Sequence, residues 1–525
     1  MKKEIDSIDV TPKKNIFRSI IADYNAQTAI CELIDNAIDL WVKKDKKYKL
    51  LIDIEIRIDQ QLIRVRDNSG GIKKEDLSLI VGPGHSGNLP EEQIIGIFGV
   101  GSKRAVVALA QHVTIKSRYR DKDTYQIEFD DDWLKDESWE LPVYIIEKIE
   151  NGTTIIELTK LREVVSKTDI GNIQSHISAT YGKFLKNQNL EIVINKEKAK
   201  PSYFDNKWSF NPDFSPKAYS TVIKMEDRSV NFTLTAGLLS EGGDAGYGDY
   251  GLYVYCNDRL IARALKSFEV GFTQGKVGVP HGSISLVRVI IEFNGEANHM
   301  PWNSSKSGID TKHKLFLLTR DKIIEMLTYH ASLCRRLNSE REAKVFPFKE
   351  GKIQKLKIDS IGEIDSTNLT PLPKTKPREA DLIKKVNAGL GTLKPWTVGL
   401  YESIIAAQSI FKQRLDQKNR IALIVTDSNL EIGFKEYLLN ESGETYSEVR
   451  LKDLFKNRSE VVKEVQKHIK GKIKKEDWDK ITYFYRLRCD LVHSRADTTV
   501  TDRQIIQFLK LAKNILSILF GIKFK

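Results

Sequence analysis

Ile30, Ile34, Ala37, Ile38 and Trp41 recur at the three- and four-residue spacing of a helix. The stretch ICELIDNAIDLW, residues 30–41, therefore predicts a helix whose apolar stripe buries against a sheet. On the other side, Glu32, Asp35, Asn36 and Asp39 fall within roughly a 100° arc. Asp and Asn are poor helix formers, so such a cluster is unfavourable unless it has a task. Oxygen-bearing groups one turn apart suit a hydrated magnesium ion and an activated water, and the plain alternative is an amphipathic helix with a wet face.

The pattern then changes period. KLLIDIEIRID and QLIRVRDNSGGI alternate as strands and read as a hairpin running into a loop, so residues 1–160 predict a layered α/β domain. FTLTAGLLS, GLYVYCNDRLIARA and SLVRVIIEFNG are strand patterns of a second α/β domain over 161–345, left by a helix from Thr311 to Asn338. Lysines and Pro371, Pro373 and Pro377 dominate the next stretch, which predicts a linker over 346–392. Helical periodicity returns over 393–525 in four segments, PWTVGLYESIIAAQSIFKQRL, RIALIVTDSNLEIGFKEYLL, EDWDKITYFYRLRCDLVHS and TDRQIIQFLKLAKNILSILF, a small α-helical bundle. The fold class expected is a multidomain α/β (α+β) chain with a helical C-terminal domain.

Charge and cysteine usage narrow the picture. Lys and Arg outnumber Asp and Glu 33 to 22 over residues 351–525 and only 50 to 49 before them. That basic C-terminal portion is a candidate nucleic-acid surface or simply a lysine-rich one. The four cysteines stand far apart in no metal-ligand spacing, which fits a reducing cytoplasm and argues against a disulfide framework or zinc site. MKKEIDSIDVTPKK has no apolar secretion core, and no apolar run reaches a membrane span of about 18 residues.

Three loops carry candidate chemistry. Asp67 in Asp67-Asn68-Ser69-Gly70-Gly71 stands at a strand end, where a carboxylate can accept from an adenine amine. The glycines after it let backbone approach a flat ring. The loop from Gly82 to Gly101 ends in GIFGVGSKRAVVALA, where Gly96, Gly99 and Gly101 precede a helical run. Backbone N–H groups there can cradle phosphates, Lys103 can add a cation, and the loop suits a hinged lid. NGTTIIEL, residues 151–158, opens a strand with Gly152 and Thr153, a hydroxyl that could assist Asp67.

The order ELIDNAID, DNSGGI, GIFGVGSK, NGTTIIEL resembles the GHKL ATPase superfamily of gyrase-type topoisomerases, ninety-kilodalton heat-shock chaperones, histidine kinases and mismatch-repair ATPases. The resemblance implies ATP and Mg2+ as ligands, with Glu32 as general base and Asn36 as the magnesium ligand. It also implies that Asp67 recognises adenine with help from Gly71 and Thr153, and that Gly96, Gly99 and Gly101 form the lid on the phosphates. A P-loop pattern is absent, as this different pocket requires. YVYCNDRLI followed by MPWNSSKSGID resembles the transducer domain of Microrchidia-type and mismatch-repair-type members, which makes Lys306 the candidate that reaches the γ-phosphate. A solvated surface lysine is the alternative.

In the third C-terminal segment, Arg488-Cys-Asp-Leu-Val-His493 resembles HEPN domains, helical bundles often found as metal-independent ribonucleases. On an unbroken helix Arg488 and His493 stand about 140° apart, whereas Arg486 shares a face with His493 and Asp490 lies between them. Either the helix ends near Asp490 or Arg486 is the working partner. The resemblances together imply an ATP-dependent homodimer in the cytoplasm that gates RNA cleavage in bacterial antiphage defence, with nucleic acid at residues 351–525, defence-system partner proteins and no membrane. The alternative is a Microrchidia-like nucleic-acid clamp whose helical module only dimerises or docks partners.

Overall fold

The stretch 30–41 lies inside α1 (Ala26–Lys43), which begins with a reciprocal cap. Asn25 Oδ1 accepts from Thr28 N at 2.9 Å, and Thr28 Oγ1 accepts from Asn25 N at 3.1 Å. The computed structural model describes Lys14 and residues 25–44, 46–82, 92–96, 101–186, 189–225, 228–242, 248–374, 379–413, 415–469, 471–493 and 499–524. Two units emerge, Met1–Lys374 and Thr375–Lys525, and the fold is mixed α/β with a helical C-terminal region.

In the first unit, α1 lies against a sheet of eight strands among the described residues. They are β1 (Leu50–Arg57), β2 (Leu62–Asp67), β3 (Ala110–Arg118), β4 (Thr124–Asp130), β5 (Tyr144–Ile146), β6 (Thr154–Leu161), β7 (Leu190–Ile194) and β8 (Glu197–Lys198). Their order is β5-β4-β3-β6-β2-β1-β7-β8, antiparallel except for the parallel pair β1 and β7. Leu50, Ile52, Ile54 and Ile56 of β1 all point inward, the period-two burial that sets its register. Helices α2 (Gly101–Leu109) and α3 (Lys167–Thr180) flank α1. The second face of α1 is therefore covered too, and Glu32, Asp35 and Asp39 are as dry as the apolar stripe.

A second sheet runs β12-β11-β13-β10-β9-β14. Its strands are β9 (Lys217–Met225), β10 (Arg228–Leu238), β11 (Gly251–Cys256), β12 (Arg259–Leu265), β13 (Val287–Asn294) and β14 (Gln354–Lys357). Helix α4 (Lys314–Arg336) packs on β13 and β10. The apolar interiors of both sheets join in one core that runs from Ala29 to Ile364. The lysine-rich stretch after Pro347 supplies β14, which pairs in parallel with the start of β9.

Unit Thr375–Lys525 contains seven helices among the described residues. They are α5 (Glu379–Leu393), α6 (Trp396–Phe411), α7 (Lys418–Asn440), α8 (Glu448–Phe455), α9 (Arg458–Ile469), α10 (Lys475–His493) and α11 (Asp502–Phe520). The four segments expected from periodicity are α6, α7, α10 and α11, and three further helices join them. Leu430, Phe434 and Leu438 of α7 share the core with Phe508, Ile515 and Leu516 of α11. No helix among the described residues is long and apolar enough to cross a membrane.

Candidate functional site

Two loops distant in sequence are stitched together beside α1. Asp67 closes β2, and its register places it opposite Ile52 on one side and Thr154 on the other. Its Oδ1 accepts from Ser69 N at 2.9 Å and from the Ser69 hydroxyl. Burial pushes the Asp67 carboxyl above the ordinary range, against the pull of those Ser69 donors. Ser69 is itself anchored, its carbonyl accepting from Lys44 Nζ at 3.1 Å and from the Tyr48 hydroxyl. Gly70 N donates to Gly152 O at 2.8 Å, Gly152 N to Arg118 O at 3.0 Å, and Arg118 N to Thr153 O at 3.0 Å. DNSGG and NGTT thus lie side by side, with Thr153 buried. Gly71 has φ +64°, and a Cβ on it would stand 2.0 Å from Arg118 O, so no other residue fits there.

At the other end of the polar stripe, Lys306 Nζ lies 2.7 and 2.6 Å from the two oxygens of Glu32 and 3.4 Å from Asp35 Oδ2. Lys306 and Glu32 are both at least nine-tenths buried, so this lysine is not a solvated surface residue. It sits in a tight turn with φ +51°, its N–H donating to Asn303 O at 3.0 Å. Asp35 Oδ1 accepts from Arg259 Nε at 2.9 Å, and Arg259 Nη1 reaches Lys306 O at 2.6 Å. Tyr181 Oη stands 2.7 Å from Asp35 Oδ1 and 2.8 Å from Cys31 O. Asp39 accepts from Ile95 N at 2.8 Å and Gly96 N at 2.7 Å, which ties the start of the glycine-rich loop to α1.

Two carboxyl groups, Glu32 and Asp35, therefore share the buried cations Lys306 and Arg259, and Asp39 is buried one turn further along α1. Burial pushes Glu32 above the ordinary carboxylate range despite Lys306 beside it, which makes it a stronger base. Burial alone would lower Lys306, but Glu32 and Asp35 outweigh it and hold the ammonium above its usual value. Burial also takes Asp39 up to about 7, against its two backbone donors. Lys103, near the start of α2, is lowered by burial to about 8.

Glu32 and Lys306 thus meet at one place along α1 and Asp67, Gly71 and Thr153 lie together at another, with Gly96 tied to Asp39 between α1 and the loop. Gly99 lies outside the described residues, and Gly101 opens α2. Asn36 is exposed one turn beyond Glu32. No cluster of three or more His, Cys, Asp or Glu among the described residues could hold a metal. A lone amide fits magnesium, which keeps most of its water and takes the rest of its shell from phosphates. Tyr181 and Arg259 were invisible as site residues in the sequence. The available signal for Arg259 was an arginine opening the otherwise apolar strand pattern RLIA.

The C-terminal candidates separate. Helix α10 continues unbroken to His493. Arg488 turns inward, its Nε 3.0 Å from Asp427 Oδ2, and the same buried carboxylate takes both Nη atoms of Arg458 at 2.8 and 2.6 Å. Arg486, Asp490 and His493 are all exposed, two turns of one face.

Residues 24–168 match the family model for the histidine kinase-, DNA gyrase B-, and HSP90-like ATPase. That span covers α1, the Asp67 loop, the glycine-rich loop and the Thr153 strand, and it supports ATP binding and hydrolysis by this domain. No curated protein matches the chain.

Proposed function

We propose that the chain is an ATP-hydrolysing switch in which Glu32 draws the proton from the attacking water, Asn36 holds magnesium, and Asp67, Gly71 and Thr153 receive adenine. The carrying observation is the buried pair of Lys306 and Glu32, made by a loop beyond the second sheet and a helix beneath the first. While Lys306 bridges both oxygens, Glu32 is engaged as the counter-ion of the ammonium. The base becomes available when the ammonium turns toward a γ-phosphate, so hydrolysis starts only on intact triphosphate. Gly96, Gly99, Gly101 and Lys103 cover the phosphates. ATP-dependent pairing of two copies then acts on the helical unit, the basic portion over 351–525 meets nucleic acid, and partner proteins of a phage-defence system are the setting for that output.

Lys103 makes the phosphate end pH-sensitive. A lysine held near 8 loses its charge as pH rises, while a bound triphosphate favours the ammonium, so binding takes up a proton. The affinity for a non-hydrolysable ATP analogue is expected to fall between pH 8 and 9 by up to ~10-fold. Lys103→Met flattens that profile in a fluorescence titration, and an unchanged slope in the variant removes Lys103 from the phosphates.

For the helical unit we favour RNA cleavage of the HEPN kind, with Arg486 rather than Arg488 beside His493. His493 can move the proton of a ribose 2′-OH, and the exposed Arg486 can steady phosphate charge. His493→Ala is expected to lower RNA cleavage by ~10²-fold or more. The engagement of Arg488 by Asp427 favours a second reading, a nucleic-acid clamp with a non-catalytic bundle. Under that reading the variant leaves RNA untouched, as the parent does, and retains DNA in the presence of ATP.

A further inference from the structure

Beneath Glu32 and Lys306 lies a contact that the hydrolysis reaction does not itself use. Arg259 opens β12 immediately after the two-residue turn Asn257-Asp258, both in the left-handed region at φ +47° and +65°, a geometry that makes a tight hairpin with β11. The tip of this hairpin touches three parts of the site. Asn257 Nδ2 donates to Ile94 O at 2.9 Å, next to the residues whose N–H groups Asp39 holds. Arg259 Nε grips Asp35 on α1, one turn from Glu32, and Arg259 Nη1 grips the carbonyl of Lys306 itself. Arg259 and Asp35 are almost wholly buried, and the Tyr181 hydroxyl donates to the same oxygen, Asp35 Oδ1, that accepts from Arg259 Nε.

We propose that Asp35 and Arg259 form a positioning pair for hydrolysis, in which the Arg259 fork sets the place of the Lys306 turn relative to Glu32 and so governs turnover rather than nucleotide affinity. The inference rests on the ATPase reading above. The chemistry follows from the shape of guanidinium. Its planar fork holds two acceptors at a fixed separation, whereas an ammonium is a single point of charge on a flexible stem. Asp35 lies on α1 and Lys306 in a loop of the second sheet, so one rigid fork fixes the distance between base and lysine. A ligand that draws Lys306 away moves its ammonium while its carbonyl stays held. The Asp67 loop is held instead by Lys44, Tyr48 and Gly152, which separates binding from turnover.

The test is Arg259→Lys in the full chain. Charge balance against Asp35 is kept, and the second arm of the fork is lost. Steady-state phosphate release is expected to show kcat lower by ~10²-fold. KM and the Kd of a fluorescent ATP analogue stay within about twofold, because the change touches only the transition state. An unchanged kcat in a folded Arg259→Lys overturns the proposal, as does a loss confined to nucleotide affinity. Should that variant fail to fold, Tyr181→Phe supplies the second arm, since it removes only the hydroxyl that donates to Asp35. Its kcat is expected to fall ~10-fold with affinity retained, and a wild-type kcat there overturns the proposal equally. A parent chain that neither binds nor hydrolyses ATP, by contrast, fails at the underlying reading and takes the pair with it.

Discussion

Glu32→Gln is expected to bind an ATP analogue with the parent's affinity and to hydrolyse ATP ~10²–10⁴-fold more slowly. The amide keeps the shape of the side chain and removes its capacity to take a proton. Folding is supported by the acceptor that the amide retains. Gln leaves an amide oxygen as acceptor beside the Lys306 ammonium, and Asp35 stays 3.4 Å from it as the remaining counter-charge. Phosphate release at saturating ATP, paired with an equilibrium titration of the analogue, separates the two effects. Turnover within a few-fold of the parent would take the base role away from Glu32.

Asp67→Asn is expected to act at the opposite end and on the opposite quantity. The variant keeps Oδ1 as acceptor for Ser69 N and hydroxyl, so the loop retains its shape. What changes is the second atom, an acceptor turned into a donor facing an adenine amine that is also a donor. A hydrogen bond to a charged group is worth about 1.5–3 kcal/mol, so the Kd for ATP rises by ~10–100-fold. Calorimetric titration with ATP and with GTP reads it directly. Unchanged affinity for ATP means adenine does not meet Asp67, and the site must then be sought elsewhere in the unit.

How far the chain could be read follows from the range of the contacts involved. The stripe Ile30, Ile34, Ile38 announced α1 because helical burial repeats within a few residues. Gly71 announced its turn because only glycine accepts that φ beside the Arg118 carbonyl. Lys306 was legible through a resemblance alone, and its burial was not, since it meets Glu32 across 274 residues of chain. Arg259 meets Asp35 across 224 and Tyr181 meets it across 146, and no local pattern records such meetings. The strand Gln354–Lys357 stayed hidden for another reason. It pairs through its backbone at a sheet edge with mostly exposed side chains, so little hydrophobic alternation marks it. Helix α9 was masked by its charged residues, although Val461, Val465 and Ile469 make a buried stripe.

The turn that carries Lys306 has one more consequence. A side-chain-bearing residue at φ +51° gives up about 1–2 kcal/mol relative to ordinary backbone. Here the carboxylates around its ammonium hold it in that form, and Asn303 and Gly308 close the loop around it through their own backbone bond at 3.0 Å. Drawing the ammonium out removes one restraint while Arg259 still holds the Lys306 carbonyl, so the tension passes along the loop from that fixed point to the strand bridge between Trp302 and Ile309. One residue thereby joins the chemical clock of the site to its mechanical stroke.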